Sequence, residues 1–105
     1  MKFVLLFRGG GPQDDPESSP KRWTRWIIDL TQRGLVDSGS PLEERGTIVR
    51  ATETSDYLGT DDDVGGYLVI EAESLEQAAE IARTAPNVHV GGAVEVRPLA
   101  SMPEE

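Results

Sequence analysis

Lys2-Phe3-Val4-Leu5-Leu6-Phe7-Arg8 decides the fold. Side chains alternate along an extended strand, so Phe3, Leu5 and Phe7 point one way and Lys2, Val4, Leu6 and Arg8 the other. The middle of the strand is therefore apolar on both faces, and both must be covered. Its basic residue and short apolar run lack a long hydrophobic region and a small-residue cleavage site, so it reads as a strand and not a signal peptide. Gly9-Gly10-Gly11-Pro12 ends it, and residues 9–19, rich in Gly, Pro and acids, read as a loop. This is no phosphate loop, because the Lys-Ser/Thr ending is missing and no helix follows directly.

Ser19-Pro20 predicts a helix start, a cap followed by proline at the first helical position. Trp23, Trp26, Ile27 and Leu30 recur at helical spacing and Gly34 is the expected stop. Val36–Leu42 and Thr47–Ala51 read together as a hairpin about Glu43-Glu44-Arg45-Gly46. Residues 52–64, rich in Asp, read as an exposed loop. Tyr67–Ala72 is a second strand that is apolar on both faces. Ser74-Leu75-Glu76-Gln77 is a capping box for a helix running through Ala85 and burying Leu75, Ala78, Ala79 and Ala82. Pro86-Asn87 ends that helix, and Ala93–Pro98 is the last strand.

The order β-α-β-β-α-β matches a ferredoxin-like α+β plan, with two helices on one face of an antiparallel sheet. Residues 1–99 form one domain and 100–105 a loose tail. The opposite sheet face cannot be polar throughout, and 105 residues hold no spare element to cover it. The simplest cover is a second copy, giving a homodimer.

Ten Lys and Arg against 19 Asp and Glu give a formal charge of −9. That charge argues against nucleic acid and anionic membranes as partners. With no cysteine, disulfides and thiolate chemistry are excluded, and one histidine cannot build a multi-histidine metal site in one chain. No apolar run reaches the roughly 20 residues of a membrane span. Asp61-Asp62-Asp63 lacks the alternating spacing of a calcium loop and reads as a solvated acidic run. No metal site and no cofactor are expected.

His89, the single imidazole, is a candidate general base, with a plain loop histidine as the alternative. Arg8 and Arg97 are candidate clamps for a carboxylate or phenolate. The plainer reading is structural, with Glu95 and Arg97 on one strand face pairing with opposite charges across the sheet or interface. Trp23 and Trp26 fit a core stripe, or line a cleft for an aromatic ligand. Asp37 and Ser38 are a polar pair on the second strand.

The chain resembles the YCII-related family, in its DGPF-type branch. The resemblance rests on Met1–Leu6, on Gly34–Leu42 (G-L-V-D-S-G-S-P-L), on Gly65–Ala72 (G-G-Y-L-V-I-E-A) and on Gly92–Leu99 (G-A-V-E-V-R-P-L). It implies a ferredoxin-like dimeric α/β barrel. It implies that most relatives have no established activity, that some are small lyases or dehalogenating enzymes with a His–Asp pair, and that others are linked to sigma factors. The D-G-P-F motif itself is absent from Thr54–Asp63, where Asp56 is the nearest aspartate, and the first helix has no histidine.

Three functions follow as expectations. The first is a cytoplasmic homodimer binding a small aromatic or anionic ligand through Arg8, Trp23, Trp26, Ser38 and Arg97. The second is a cofactor-free lyase or dehalogenase with His89 as base and Asp37 or Asp56 as orienting acid. The third is an accessory in sigma-factor regulation.

Overall fold

A computed structural model of the chain describes residues 1–9, 20–58 and 63–102. Six strands and two helices run in the order β1 (Lys2–Arg8), α1 (Pro20–Gln32), β2 (Val36–Pro41), β3 (Arg45–Val49), β4 (Thr54–Leu58), β5 (Val64–Glu71), α2 (Leu75–Arg83) and β6 (Ala93–Pro98), with a 3-10 turn at Pro86–Val90 before β6. β2, β5, β1 and β6 form one antiparallel sheet in that spatial order. β1 and β5, apolar on both faces, hold its centre.

This is a small α+β fold on the ferredoxin-like plan, with one insertion. β3 pairs with β4 in a separate two-stranded sheet. That corrects two expectations. Residues 47–49 do not pair with Val36–Leu42, which joins β5 instead, and residues 54–58 are a strand and not a loop. The reason is local. The Arg50 amide donates to the Glu53 carbonyl at 2.7 Å, closing a turn that folds β4 back on β3. Thr54-Ser55-Asp56-Tyr57-Leu58 has no apolar–polar alternation to mark a strand, and its acidic surroundings read as a loop.

Phe3, Leu5 and Phe7 of β1 and Leu68 and Ile70 of β5 are buried against Trp26 and Leu30 of α1 and Ala78, Ile81 and Ala82 of α2. Each fully buried Phe, Leu or Ile contributes roughly 1.5–3 kcal/mol. Ala78 and Ala82 let α2 approach the sheet closely. Leu75, expected in that stripe, is exposed, because it opens the helix, and Ile81 is buried in its place.

Both helix ends follow from local chemistry. α1 stops at Gly34, whose φ of +74° suits a residue without Cβ. The Leu35 amide reaches the Leu30 carbonyl at 3.1 Å and the Gly34 amide reaches that of Thr31 at 3.0 Å, a Schellman stop. Ser19, the expected cap of α1, lies outside the described residues. At α2, Ser74 Oγ accepts the Gln77 amide at 3.1 Å, and Gln77 Oε1 accepts the Glu73 amide at 2.5 Å. The capping box thus forms with its return bond one residue early. α2 ends at Arg83, short of Ala85, and Pro86-Asn87 opens the 3-10 turn.

The molecule measures 47 × 45 × 19 Å. Its thinnest dimension matches one sheet and one helix layer. On the face opposite the helices, Val4, Leu6 and Val69 are half-buried and Tyr67 is 36 % exposed. No helix of the described residues is long and apolar enough to cross a membrane.

Candidate functional site

Strand register sorts the residues of the open face into rows. Ser38, Val69, Val4 and Arg97 make one row from β2 to β6, and Ser40, Tyr67, Leu6 and Glu95 the next. The middle is an apolar floor of Val4, Leu6, Tyr67 and Val69. Serine hydroxyls border it on the β2 edge and charges on the β6 edge. Ser40 Oγ donates to the Pro41 carbonyl at 2.8 Å.

Arg8 stands beyond Leu6 on β1 and reaches diagonally to β6. Its Nε and Nη2 donate to Glu95 Oε1 at 3.2 and 3.0 Å. Arg97 Nε lies 3.8 Å from Glu95 Oε2. Glu95 therefore sits between two guanidinium groups. The arginine side chains are 35 % (Arg8) and 68 % (Arg97) exposed, so the array combines fixed geometry with solvent access. Guanidinium forks match carboxylate and phenolate oxygens, and they bind more strongly beside apolar surface than in open water.

Tyr57 of β4 borders the same corner. Its hydroxyl donates to Asp63, just before β5. That bond holds the phenol above its ordinary value of 10.0. Desolvation and the charge of Asp63 push the same way, and the charge of Arg8 pulls back.

Asn87, 1 % exposed, fixes the corner from behind. Its Nδ2 donates to the carbonyls of Arg8 and Gly9, each at 3.3 Å, and of Ala93 at 3.0 Å. It thereby ties the end of β1 to the start of β6. Gly92 is required there, because a Cβ would lie 2.6 Å from the Gly9 carbonyl oxygen and 2.8 Å from that of Arg8.

The structure sets Arg8, Arg97 and Ser38 on the open face, the two arginines near its β6 edge and Ser38 at its β2 edge. It sets the other candidate residues elsewhere. Trp23 and Trp26 lie on the helix side of the sheet, edge-on to Phe7 at 5.0 and 5.8 Å, and Trp26 Nε1 donates to Thr84 Oγ1 at 2.7 Å. Asp37 pairs with Lys2 at 3.3 Å, at the opposite end of β1 from Arg8. Asp56 is exposed on β4, across from Thr47. His89 is exposed on the 3-10 turn, two residues beyond Asn87. Two hollows form against the helices, one lined by Pro20, Lys21, Thr24, Arg25 and Ile28, the other by Arg33, Leu35, Gln77, Glu80, Ile81 and Thr84; neither contains a candidate residue. Among the described residues no three His, Asp or Glu side chains gather to hold a metal ion. Asp61 and Asp62 of the acidic run lie outside the described residues.

Sequence reasoning missed Tyr57, Asp63 and Asn87 as parts of this corner. Tyr57 carried no periodic signal, because Thr54, Ser55 and Asp56 before it are all polar. Asn87 carried no signal beyond following a proline.

The YCII-related domain matches residues 32–103, and the chain belongs to the YCII-related family. Among solved structures, it is similar to 5-chloro-2-hydroxyhydroquinone dehydrochlorinase (TftG) from Burkholderia phenoliruptrix AC1100, solved in complex with 2,5-dihydroxybenzoquinone. The likeness covers 95 % of this chain and 94 % of that one, with a TM-score of 0.58 and 19 % sequence identity. It is a likeness of fold. No curated protein matches the chain.

Proposed function

We propose that this protein binds a small, flat, oxygenated aromatic anion on the open sheet face, in a cleft closed by a second copy. The observation that carries this reading is the Arg8–Glu95–Arg97 array beside the apolar floor of Leu6 and Tyr67. A planar ring would lie on the floor, and a phenolate or carboxylate oxygen would meet Arg97. Ser38, in the row of Arg97, offers a hydroxyl from the far edge. A polar border around an apolar floor is the usual composition of a small-molecule site. Burial of Val4, Leu6, Tyr67 and Val69 favours the second copy, since a lone chain leaves this face wet. The compound bound to the structurally similar dehydrochlorinase, a dihydroxybenzoquinone, has the same chemistry.

The test is calorimetric titration with 2,5-dihydroxybenzoquinone. Wild type should bind it, and Arg97→Ala should weaken binding about tenfold, the usual loss for one charged hydrogen bond. Absence of binding to wild type, or equal binding by Arg97→Ala, would refute the proposal.

The fold likeness favours one second reading, elimination of hydrogen chloride from a hydroxylated chloroarene held on the same face. Release of chloride from 5-chloro-2-hydroxyhydroquinone by wild type but not by Arg97→Ala would support it. Binding of the quinone without chloride release would leave binding alone as the function.

A further inference from the structure

The β3–β4 hairpin stands apart from the four-stranded sheet. Two-stranded hairpins are at best marginally stable in water on their own. Here Ile48 is 36 % and Val49 73 % exposed. The pairing places Gly46, Ile48, Ser55 and Tyr57 on one face of the arm, and Arg45, Thr47, Val49, Thr54 and Asp56 on the other. The Tyr57 ring lies over Gly46, whose added Cβ would meet Cδ2 at 4.0 Å. The Tyr57 hydroxyl is anchored to Asp63 at the start of β5, and the charge of Arg8 acts on it. The Ile48–Tyr57 face of the arm is therefore the one tied to the Arg8 corner of the sheet.

The shape of the molecule agrees. The radius of gyration is 15.1 Å, against roughly 13 Å for a compact chain of this length. With a thickness of 19 Å, the excess lies in the plane of the sheet. The arm thus reaches outward and does not fold over its own sheet.

Area decides what it reaches for. Four strands at ~4.8 Å spacing and ~20 Å length define a face of roughly 400 Å². A stable interface needs about 800 Å² per partner. One face of a five-residue, two-stranded arm adds about 160 Å². In a twofold pair each copy both gives and receives an arm, which brings the patch to about 700 Å².

We infer that the arm is a clasp for a second copy of this chain: its Ile48–Tyr57 face lies against the partner and walls the Arg8 corner of the cleft, so neither ligand site is complete alone. This rests on the dimer proposed above.

The experiment compares full-length wild type, Ile48→Asp and Val49→Asp by sedimentation over a concentration series. Ile48→Asp should raise the dimer dissociation constant at least about tenfold, and Val49→Asp, on the other arm face, less than about twofold. Unchanged tryptophan emission would show that the core of each variant is folded. Hydrogen exchange on wild type is the second measurement: amides of residues 45–58 should be protected above the dimer dissociation constant and exchange freely below it. A wild-type dimer insensitive to Ile48→Asp, or equally weakened by both variants, overturns the clasp and leaves the dimer standing. A wild type that stays monomeric overturns both.

Discussion

Glu95 Oε1 accepts two hydrogen bonds from Arg8, at 3.2 Å from Nε and 3.0 Å from Nη2, across the β1–β6 pair. The pair is partly exposed, so its own contribution to stability is about 0.2–1 kcal/mol. Its larger effect is electrostatic. The carboxylate offsets positive charge that an anionic ligand would otherwise meet.

Glu95→Ala should therefore move stability and affinity in opposite directions. Denaturant unfolding should show a loss of no more than about 1 kcal/mol. Calorimetric titration with 2,5-dihydroxybenzoquinone should show tighter binding by a few-fold, because the Glu95 carboxylate would no longer offset the charge of Arg8 and Arg97. Weaker binding would mean that Glu95 contacts the ligand favourably.

Asn87 holds three backbone carbonyls with one amide nitrogen. Asn87→Ala leaves buried acceptors without a donor, at a cost of about 1–3 kcal/mol. Asn87→Asp should cost more, since a carboxylate oxygen would then face those carbonyl oxygens. Urea unfolding of the two variants checks the order. If Asn87→Asp equals wild type, the amide is not the tie between β1 and β6.

Tyr57 gives a pH dependence of definite sign. Its folded-state value lies above the ordinary 10.0, with the bond to Asp63 as the largest cause. The folded protein therefore holds the phenol proton more tightly than the unfolded chain does. The resulting stabilisation is fully present below the unfolded value and is lost as pH rises through the folded one. Stability should fall above pH 10 in wild type and fall less steeply in Tyr57→Phe. Absorbance titration of tyrosinate should lose its late phase in the same variant. An identical titration limb in both proteins would contradict the Asp63 bond.

How much of this was legible beforehand depends on whether the determinant is local. The double apolar alternation in Lys2–Arg8 and Tyr67–Ala72 pointed to two central strands, and these are β1 and β5. The Trp23, Trp26, Ile27, Leu30 stripe and the Gly34 stop are features of one helix, and both are present. The separate β3–β4 arm was not legible, because β4 lies inside an acidic window and lacks apolar–polar alternation. Arg8, Ser38 and Arg97 could be picked out as polar residues on strands, but their meeting depends on the β2-β5-β1-β6 order. Glu95 was visible as an ion-pair partner, and only the diagonal reach across β1 and β6 makes Arg8 its mate. Nothing in the sequence near Asn87 announces bonds to residues almost eighty positions away, because those bonds are made by packing.

In the proposed dimer a second copy covers the apolar face of Val4, Leu6, Tyr67 and Val69. Sedimentation velocity at micromolar concentration tests it most directly. A species of twice the 11.4 kDa chain mass is expected, dissociating when Leu6→Asp places a charge on the floor. A soluble, monodisperse particle of 11.4 kDa across that range would contradict it.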